Sequence, residues 1–283
     1  MCSRCVMDTT AAEIVFDSVG VCNFCHQVET YKNTIWRPED RNALNAKIRE
    51  IKTAGKGKKY DCIIGLSGGV DSSYLAHLVV CEFGLRPLAI HVDAGWNSEI
   101  ATQNIEVLVR ELDIDFYSEI LDWKSVQELQ RAYLFSGIAN LDVPQDHAFF
   151  TVLYKMVHKH KVSYFLTGGN MATESILPQS WGYDAMDSAN LKDIYSKHGR
   201  GKKLDYPTYS QFKRYIWDRY ITKVQVPRLL DLYPYNRGDA ILLLQSNYGW
   251  KNYGNKHDES IWTRWFQSYY LPTKFGFEKR KAH

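Results

Sequence analysis

The sequence predicts an α/β fold: a parallel sheet covered by helices on both faces, with a cysteine-paired module before it and a mainly helical region after it. Three observations carry this. From Tyr60 to about residue 185, short apolar runs bounded by turn residues alternate with segments of helical spacing, the pattern of crossovers between parallel strands. Two Cys-x-x-Cys pairs stand within the first 25 residues. Beyond residue 186 the strand pattern fades while helical spacing persists. At 45% hydrophobic and 24% charged residues, the composition excludes a disordered chain. No apolar stretch approaches the roughly 18 residues of a membrane span. Met1-Cys2-Ser3-Arg4-Cys5 has no apolar run behind it, so a cytoplasmic protein with reduced cysteines is expected.

Four segments follow from this reading: a cysteine module at 1–33, a helix and linker at 34–59, the sheet domain at 60–185 and a helical, basic region at 186–283. In the second, Pro38 precedes Leu44, Ile48 and Ile51 at helical spacing, and Gly55 ends the helix. In the third, strands are expected at Cys62–Leu66, Pro87–Val92, Phe116–Leu121 and Val162–Thr167. Helices are expected at Ser72–Phe83, Ile100–Leu112, Ser125–Phe135 and Ala148–His158, with Ser98 capping the second of these. Gln211–Tyr220, Arg237–Gln245 and His257–Tyr269 read as helices of the last segment. Ligands of such sheets sit beyond the C-terminal strand ends, which places Ser67, Asp93 and Gly168 on one rim.

The strand ending at Leu66 runs into Ser67-Gly68-Gly69-Val70-Asp71-Ser72-Ser73, where a helix begins. Adjacent glycines let the backbone approach an anion, and the helix N-terminus and serine hydroxyls favour phosphate. A Walker loop would carry Gly-Lys-Ser/Thr. This loop has no lysine and holds Asp71 instead, so it suits the departing β,γ-pyrophosphate of ATP, with Asp71 orienting the loop or holding Mg²⁺ through water. Cys2, Cys5, Cys22 and Cys25 form two knuckles separated by 16 residues, the spacing of a structural zinc ribbon. Cys62 and Cys81 lie in a strand and a helix away from the rim. The net charge of +3 divides unevenly: residues 1–185 hold 17 Lys/Arg and 23 Asp/Glu (−6), and residues 186–283 hold 18 and 9 (+9). A basic C-terminal third suits phosphates, an acidic sugar or a partner.

On the Ser67–Ser73 loop, the sequence resembles the PP-loop ATP pyrophosphatases, with their adenine nucleotide alpha hydrolase-like domain. The resemblance implies that Leu66, His91, Val92 and Asp93 lie near adenine, and that the glycine turn Gly168-Gly169-Asn170 lies near the α-phosphate. His91 reads equally well as a packed strand histidine. Further segments, Asp142–Ala148, Gly168–Glu174, Leu177–Trp181, Tyr248–Ser260 and Phe266–Phe277, together with the cysteine ribbon, resemble the N-acetyl sugar amidotransferases of bacterial surface-polysaccharide and nonulosonic acid synthesis. That resemblance implies replacement of an acetamido oxygen by nitrogen, with ATP split to AMP and pyrophosphate. Lys251, Lys256 and Arg264 are then candidates for neutralising phosphate charge. Glu174 would orient substrate or ammonia, Asp142 and Asp146 would lie beside Mg²⁺ or sugar hydroxyls, and Trp181 would meet the substrate. Asp146 alternatively reads as a helix N-cap. Ammonia would come from a separate class I glutaminase, with a cyclase-like subunit able to join the two. The rival reading is a PP-loop tRNA-modifying enzyme. The absence of a plausible sulfur-carrying cysteine argues against it, and nucleic acid is not the expected partner.

Overall fold

The computed structural model of the chain describes all residues except Ser175, Tyr183, Lys202, Lys203, Asn255, Lys256, His257 and His283. Four strands, β1 (Cys62–Gly65), β2 (Pro87–Asp93), β3 (Asp115–Ile120) and β4 (Phe165–Leu166), pair in parallel in the order β3-β2-β1-β4. Ile63 lies between Leu88 and Phe165 in register, and Ile64 between Ala89 and Leu166. β1 and most of β2 read as apolar runs because both faces are covered, whereas the edge strand β3, Asp-Phe-Tyr-Ser-Glu-Ile, is largely exposed.

Before the sheet come α1 (Asn23–Thr34) and α2 (Arg41–Ala54). Between strands run α3 (Val70–His77, continued by a π turn at Leu78–Glu82), α4 (Glu99–Glu111), α5 (Trp123–Ser136) and α6 (Val143–His160). After β4 follow α7 (Met171–Glu174), α8 (Ser188–His198), a π segment at Lys213–Ile221 and α9 (Arg237–Tyr248). The chain then forms one helical run of α10 (Ile261–Trp265), a π segment (Phe266–Tyr270) and α11 (Leu271–Phe275). The expected α/β class with a helical C-terminal region is borne out. Among the described residues no helix is long and apolar enough to cross a membrane.

Pleating sends alternate strand residues to opposite layers. Ile64, Leu66, Ala89 and Leu166 join a core with α2, α3, α4 and α9, whereas Ile63, Leu88, Ile90 and Phe165 meet Val152, Leu153, Met156 and Val157 of α6. Each such aliphatic side chain contributes about 1.5–3 kcal/mol on burial. A third core joins Cys2, Met7, Cys22, Phe24 and Cys25 to α5, α8, the final helical run and the chain just after it through Val126, Leu191, Phe266 and Phe277.

Several local expectations change. The helix expected after residue 34 is α2, capped by Asp40, whose side chain accepts the Ala43 N–H at 2.8 Å. A further helix, α1, grows out of the second cysteine knuckle. Strand β4 is short because the adjoining chain pairs elsewhere: Gln225 donates its N–H to the Ser163 carbonyl and accepts that of Phe165. Asp146 is not an N-cap. Helix α6 starts at Val143 with Pro144 in its first turn, leaving Asp146 inside that turn and Asp142 at the cap position. Ser98 does cap α4, accepting the Ala101 N–H at 3.2 Å.

Candidate active site

The chain leaves β1 toward β2 and β3 on one side, then crosses to β4 on the other, so the sheet reverses its order between β1 and β4. Such a switch point opens a crevice at the C-terminal strand ends. A cavity of about 500 Å³ lies there, within the usual range for small-molecule sites. It is lined by Leu66, Ser67, Gly69, Val70, Asp71 and Ser72 after β1 and by Gly168 and Gly169 after β4.

The loop after β1 is held in shape by its own hydroxyls. Ser67 Oγ lies 3.0 Å from Ser72 Oγ and accepts the Gly69 N–H at 3.3 Å, while Ser72 Oγ donates to the Gly69 carbonyl at 3.2 Å. Gly68 has φ +79°, and a Cβ there would lie 2.4 Å from the Ala101 carbonyl oxygen, so only glycine lets α4 approach the loop. A Cβ on Gly168 would meet the Ser72 nitrogen at 2.6 Å, which is how the second turn reaches the start of α3. Ser73, fully buried, accepts the indole N–H of Trp250 at 3.2 Å.

The C-terminal region closes over this loop. The Tyr253 hydroxyl accepts the Val70 N–H at 3.0 Å, and the Tyr235 hydroxyl donates to Asp71. Asn104 accepts the Lys251 N–H at 2.7 Å and donates to its carbonyl at 2.9 Å, anchoring that strip of chain to α4. Residues Ser260 and Asn97 form an antiparallel bridge beside β2. Asp142 accepts from Thr263 Oγ1 at 2.8 Å and from Gln145 Nε2 at 3.1 Å, tying α6 to α10. Arg237, Glu259, Thr263, Gln267 and Lys279 thereby line the same cavity.

The described sequence candidates divide into three groups. Asp71, Asp142, Asp146, Glu174, His91 and Val92 line the cavity with most of the glycine loop. Gly68, Ser73, Asp93 and Asn170 shape it from behind. Asn170 caps α7, accepting the Thr173 N–H at 3.0 Å, and Asp93 accepts from Gly95 N–H and Asn97 Nδ2 at 2.7 and 2.9 Å. Three candidates lie outside the lining. Lys251 donates to Gln103 at 2.7 Å on the exposed surface, Arg264 is exposed on α10, and Trp181 stacks on Phe277 with centroids 4.3 Å apart. Lys256 falls outside the described residues. The described cations at the cavity are instead Arg237 and Lys279, against the carboxylates of Asp71, Asp142, Asp146, Glu174 and Glu259. Arg237 was signalled only by Asn236, which caps α9 and so places its first turn, while nothing local marks Lys279.

His91 is engaged at both ring nitrogens. Nδ1 donates to the Leu66 carbonyl at 2.9 Å, which leaves Nε2 to accept from Asn97 Nδ2 at 3.0 Å. Burial holds its pKa below the ordinary value near 6.5. Burial does the same for His147, which donates to the Ala185 carbonyl at 2.7 Å and accepts the Tyr209 N–H at 3.2 Å. A depressed histidine contributes stability that is complete above its unfolded pKa and lost as pH falls through the folded one. Melting temperature should therefore hold steady above about pH 7 and fall as pH drops below about 6.5, the ordinary histidine value, and His147→Gln should flatten that slope. An unchanged slope in the variant would remove His147 from this account.

At the N-terminus, the Sγ atoms of Cys2, Cys5, Cys22 and Cys25 all lie within 4.8 Å of one another. The Cys2–Cys25 and Cys5–Cys22 pairs are 3.9 and 3.7 Å apart. A tetrahedral zinc with Zn–S bonds of about 2.3 Å has an edge of about 3.8 Å, so four thiolates in this arrangement could hold the ion.

No family model matches the chain. A glutamine-hydrolysing GMP synthase of Thermosipho africanus is 28% identical over 213 residues, covering 71% of this chain and 38% of that protein. A GMP synthase of Pyrobaculum aerophilum is 31% identical over 110 residues, covering 39% of this chain and 20% of that protein. These relatives are members of the PP-loop ATP pyrophosphatase superfamily. The matches span well under half the length of either relative. Among solved structures, an NH3-dependent NAD synthetase from Campylobacter jejuni covers 74% of this chain and 95% of its own, at 14% identity and a TM-score of 0.36.

Proposed function

We propose that the chain is an ATP-dependent amidotransferase that converts the acetamido group of a nucleotide-linked N-acetyl sugar to an acetamidino group, releasing AMP and pyrophosphate. The observation that carries this reading is the lysine-free glycine loop after β1, which lines one cavity with the second glycine turn after β4. Similarity to GMP synthases supports it, and so do the sugar-amidotransferase-like segments, several of which lie at this cavity.

An amide is inert to ammonia because its oxygen is a very poor leaving group. In the first step the amide oxygen attacks the ATP α-phosphorus. An O–P bond forms, the bridging bond to the β-phosphate breaks, and pyrophosphate leaves with the electron pair. The amide nitrogen then gives up its proton. In the second step ammonia adds to the imidate carbon, the C–O bond breaks, and AMP departs with the oxygen. The surplus proton passes to solvent.

The residues have corresponding tasks. The loop Ser67–Ser72 holds the β- and γ-phosphates through its N–H groups and hydroxyls, and Phe149, Phe150 and Val92 offer apolar surface to the base. Arg237 and Lys279 offset the charge that develops on phosphate oxygens. Asp71 and Glu174 are hard oxygen ligands suited to the Mg²⁺ that accompanies ATP, and the ion supplies charge neutralisation when bound. Ammonia is delivered by a class I glutaminase partner, with a cyclase-like subunit joining the two.

The test is pyrophosphate release from Mg-ATP with ammonium chloride and a panel of UDP-linked N-acetyl sugars, with product masses read in parallel. A product lighter than its sugar by the difference between O and NH supports the reading. Silence across the panel, with release stimulated by tRNA, overturns it in favour of RNA modification.

A further inference from the structure

The π segment Lys213–Ile221 is turned inside out: its one buried residue is an aspartate. Asp218, 2% exposed, accepts from the Tyr209 hydroxyl at 2.6 Å and lies 2.8 Å from His158 Nε2 of α6. Arg214 adds a second polar anchor, donating to Asp184 at 2.7 Å. The apolar side chains are left in solvent. Phe212, Tyr215, Ile216, Trp217, Tyr220 and Ile221 are each between 45% and 68% exposed. Phe212, Ile216 and Tyr220 recur at every fourth position, as do Trp217 and Ile221, so they stack along one side. A surface helix ordinarily turns such a stripe to the core, and a contiguous exposed patch marks a contact with something else.

Charge narrows the choice of occupant. Between Tyr206 and Arg228 the chain carries Lys213, Arg214, Arg219, Lys223 and Arg228 against one acid, the buried Asp218. Arg219 and Lys223 are exposed, and neither forms an ion pair among the described residues. A second copy of this face would oppose cation to cation. RNA bases would need open rings to stack on, and the Arg214 and Arg219 guanidiniums already lie over Tyr215 and Tyr220, 5.0 and 5.5 Å from the centroids. An ammonia-supplying subunit would dock at the cavity mouth. His158, which holds this segment, stands about 18 Å along α6 from Asp146 at the cavity. We infer that Lys213–Ile221 docks the chain on an anionic lipid surface. Trp217, Ile221 and their apolar neighbours enter the headgroup boundary, while Arg219 and Lys223 meet lipid phosphates. This attachment is independent of the reaction proposed above.

The test is flotation of the full chain with phosphatidylcholine vesicles and with vesicles in which about one-third of the lipid is phosphatidylglycerol. The wild-type chain should partition at least about tenfold more strongly onto the anionic vesicles, and added salt should release it. Arg219→Ser combined with Lys223→Ser should weaken that binding at least about tenfold, because each cation near an anionic surface contributes about fivefold. Trp217→Ser combined with Ile221→Ser should weaken it by about tenfold or more while leaving its salt dependence in place. All four side chains are exposed, so melting temperature should hold. Phe212→Ser combined with Ile216→Ser stands in for the apolar pair if that variant misfolds. Equal partition onto both kinds of vesicle overturns the inference, as does binding that survives in the variants. Absence of partition by the wild type overturns it as well. A dimer in sedimentation, or a complex with tRNA or with an acidic protein, that the Trp217 and Ile221 substitutions abolish would then assign the face to that occupant.

Discussion

Asp71→Ala should bring pyrophosphate release to background, a fall of at least about 10²–10³-fold, with the fold and zinc content preserved. Asp71 lies in the first turn of α3, lines the cavity and accepts a hydrogen bond from Tyr235. Its carboxylate is the one acidic group inside the Ser67–Ser73 loop itself, so its loss removes a candidate metal ligand without disturbing the sheet. One structural cost falls on Tyr235, whose half-buried hydroxyl loses its acceptor at about 1–3 kcal/mol. Tyr235→Phe separates the two effects: it removes the hydrogen bond and keeps the charge, so activity should fall far less. Turnover retained in Asp71→Ala would remove that residue from the catalytic assignment.

Removing the metal should open the N-terminal module before the sheet. Structural zinc sites contribute on the order of 10–16 kcal/mol to the folding of small modules, and in residues 1–33 the four thiols stand beside a few apolar side chains, Met7, Ala11 and Phe24, that pack onto the rest of the chain. Chelation, or Cys22→Ser, should cut zinc content to near zero and direct the first proteolytic cleavage into this segment. The damage should spread further, because Cys22, Phe24 and Cys25 share a core with Phe266 and Leu271 of the final helical run. Glu13 also accepts the Ser180 N–H at 3.1 Å, linking the module to the chain that follows α7. Unchanged protease resistance after chelation would mean that the four thiols fold without an ion.

The sheet was legible because β1 and β2 are buried on both faces and so announce themselves as apolar runs. Helix α4 was legible because Ser98 and Glu99 mark its start. The glycine loop was legible because its whole phosphate-binding apparatus is local. The shortness of β4 was not, since its edge is completed by Gln225, far along the chain. Helix α1 was hidden because its first turn is also a cysteine knuckle. Lys251 and Arg264 lie outside the cavity lining for a reason of the same kind as the shortness of β4. Lys251 sits in a segment that does reach the loop, but through its backbone amide and carbonyl on Asn104, which leaves its ammonium outside. Arg237 and Lys279 reach the cavity only through tertiary placement that spacing does not encode.

Trp250, Tyr253 and Tyr235 reach back to Ser73, Val70 and Asp71, so the glycine loop is finished by chain more than 160 residues downstream. The sheet is therefore not a portable module. Expressed alone, residues 60–185 would lack the indole and phenol groups that complete the turn. A chimera meant to exchange acceptor preference between relatives would have to transplant the 235–253 strip together with the loop, or inherit a mismatched joint.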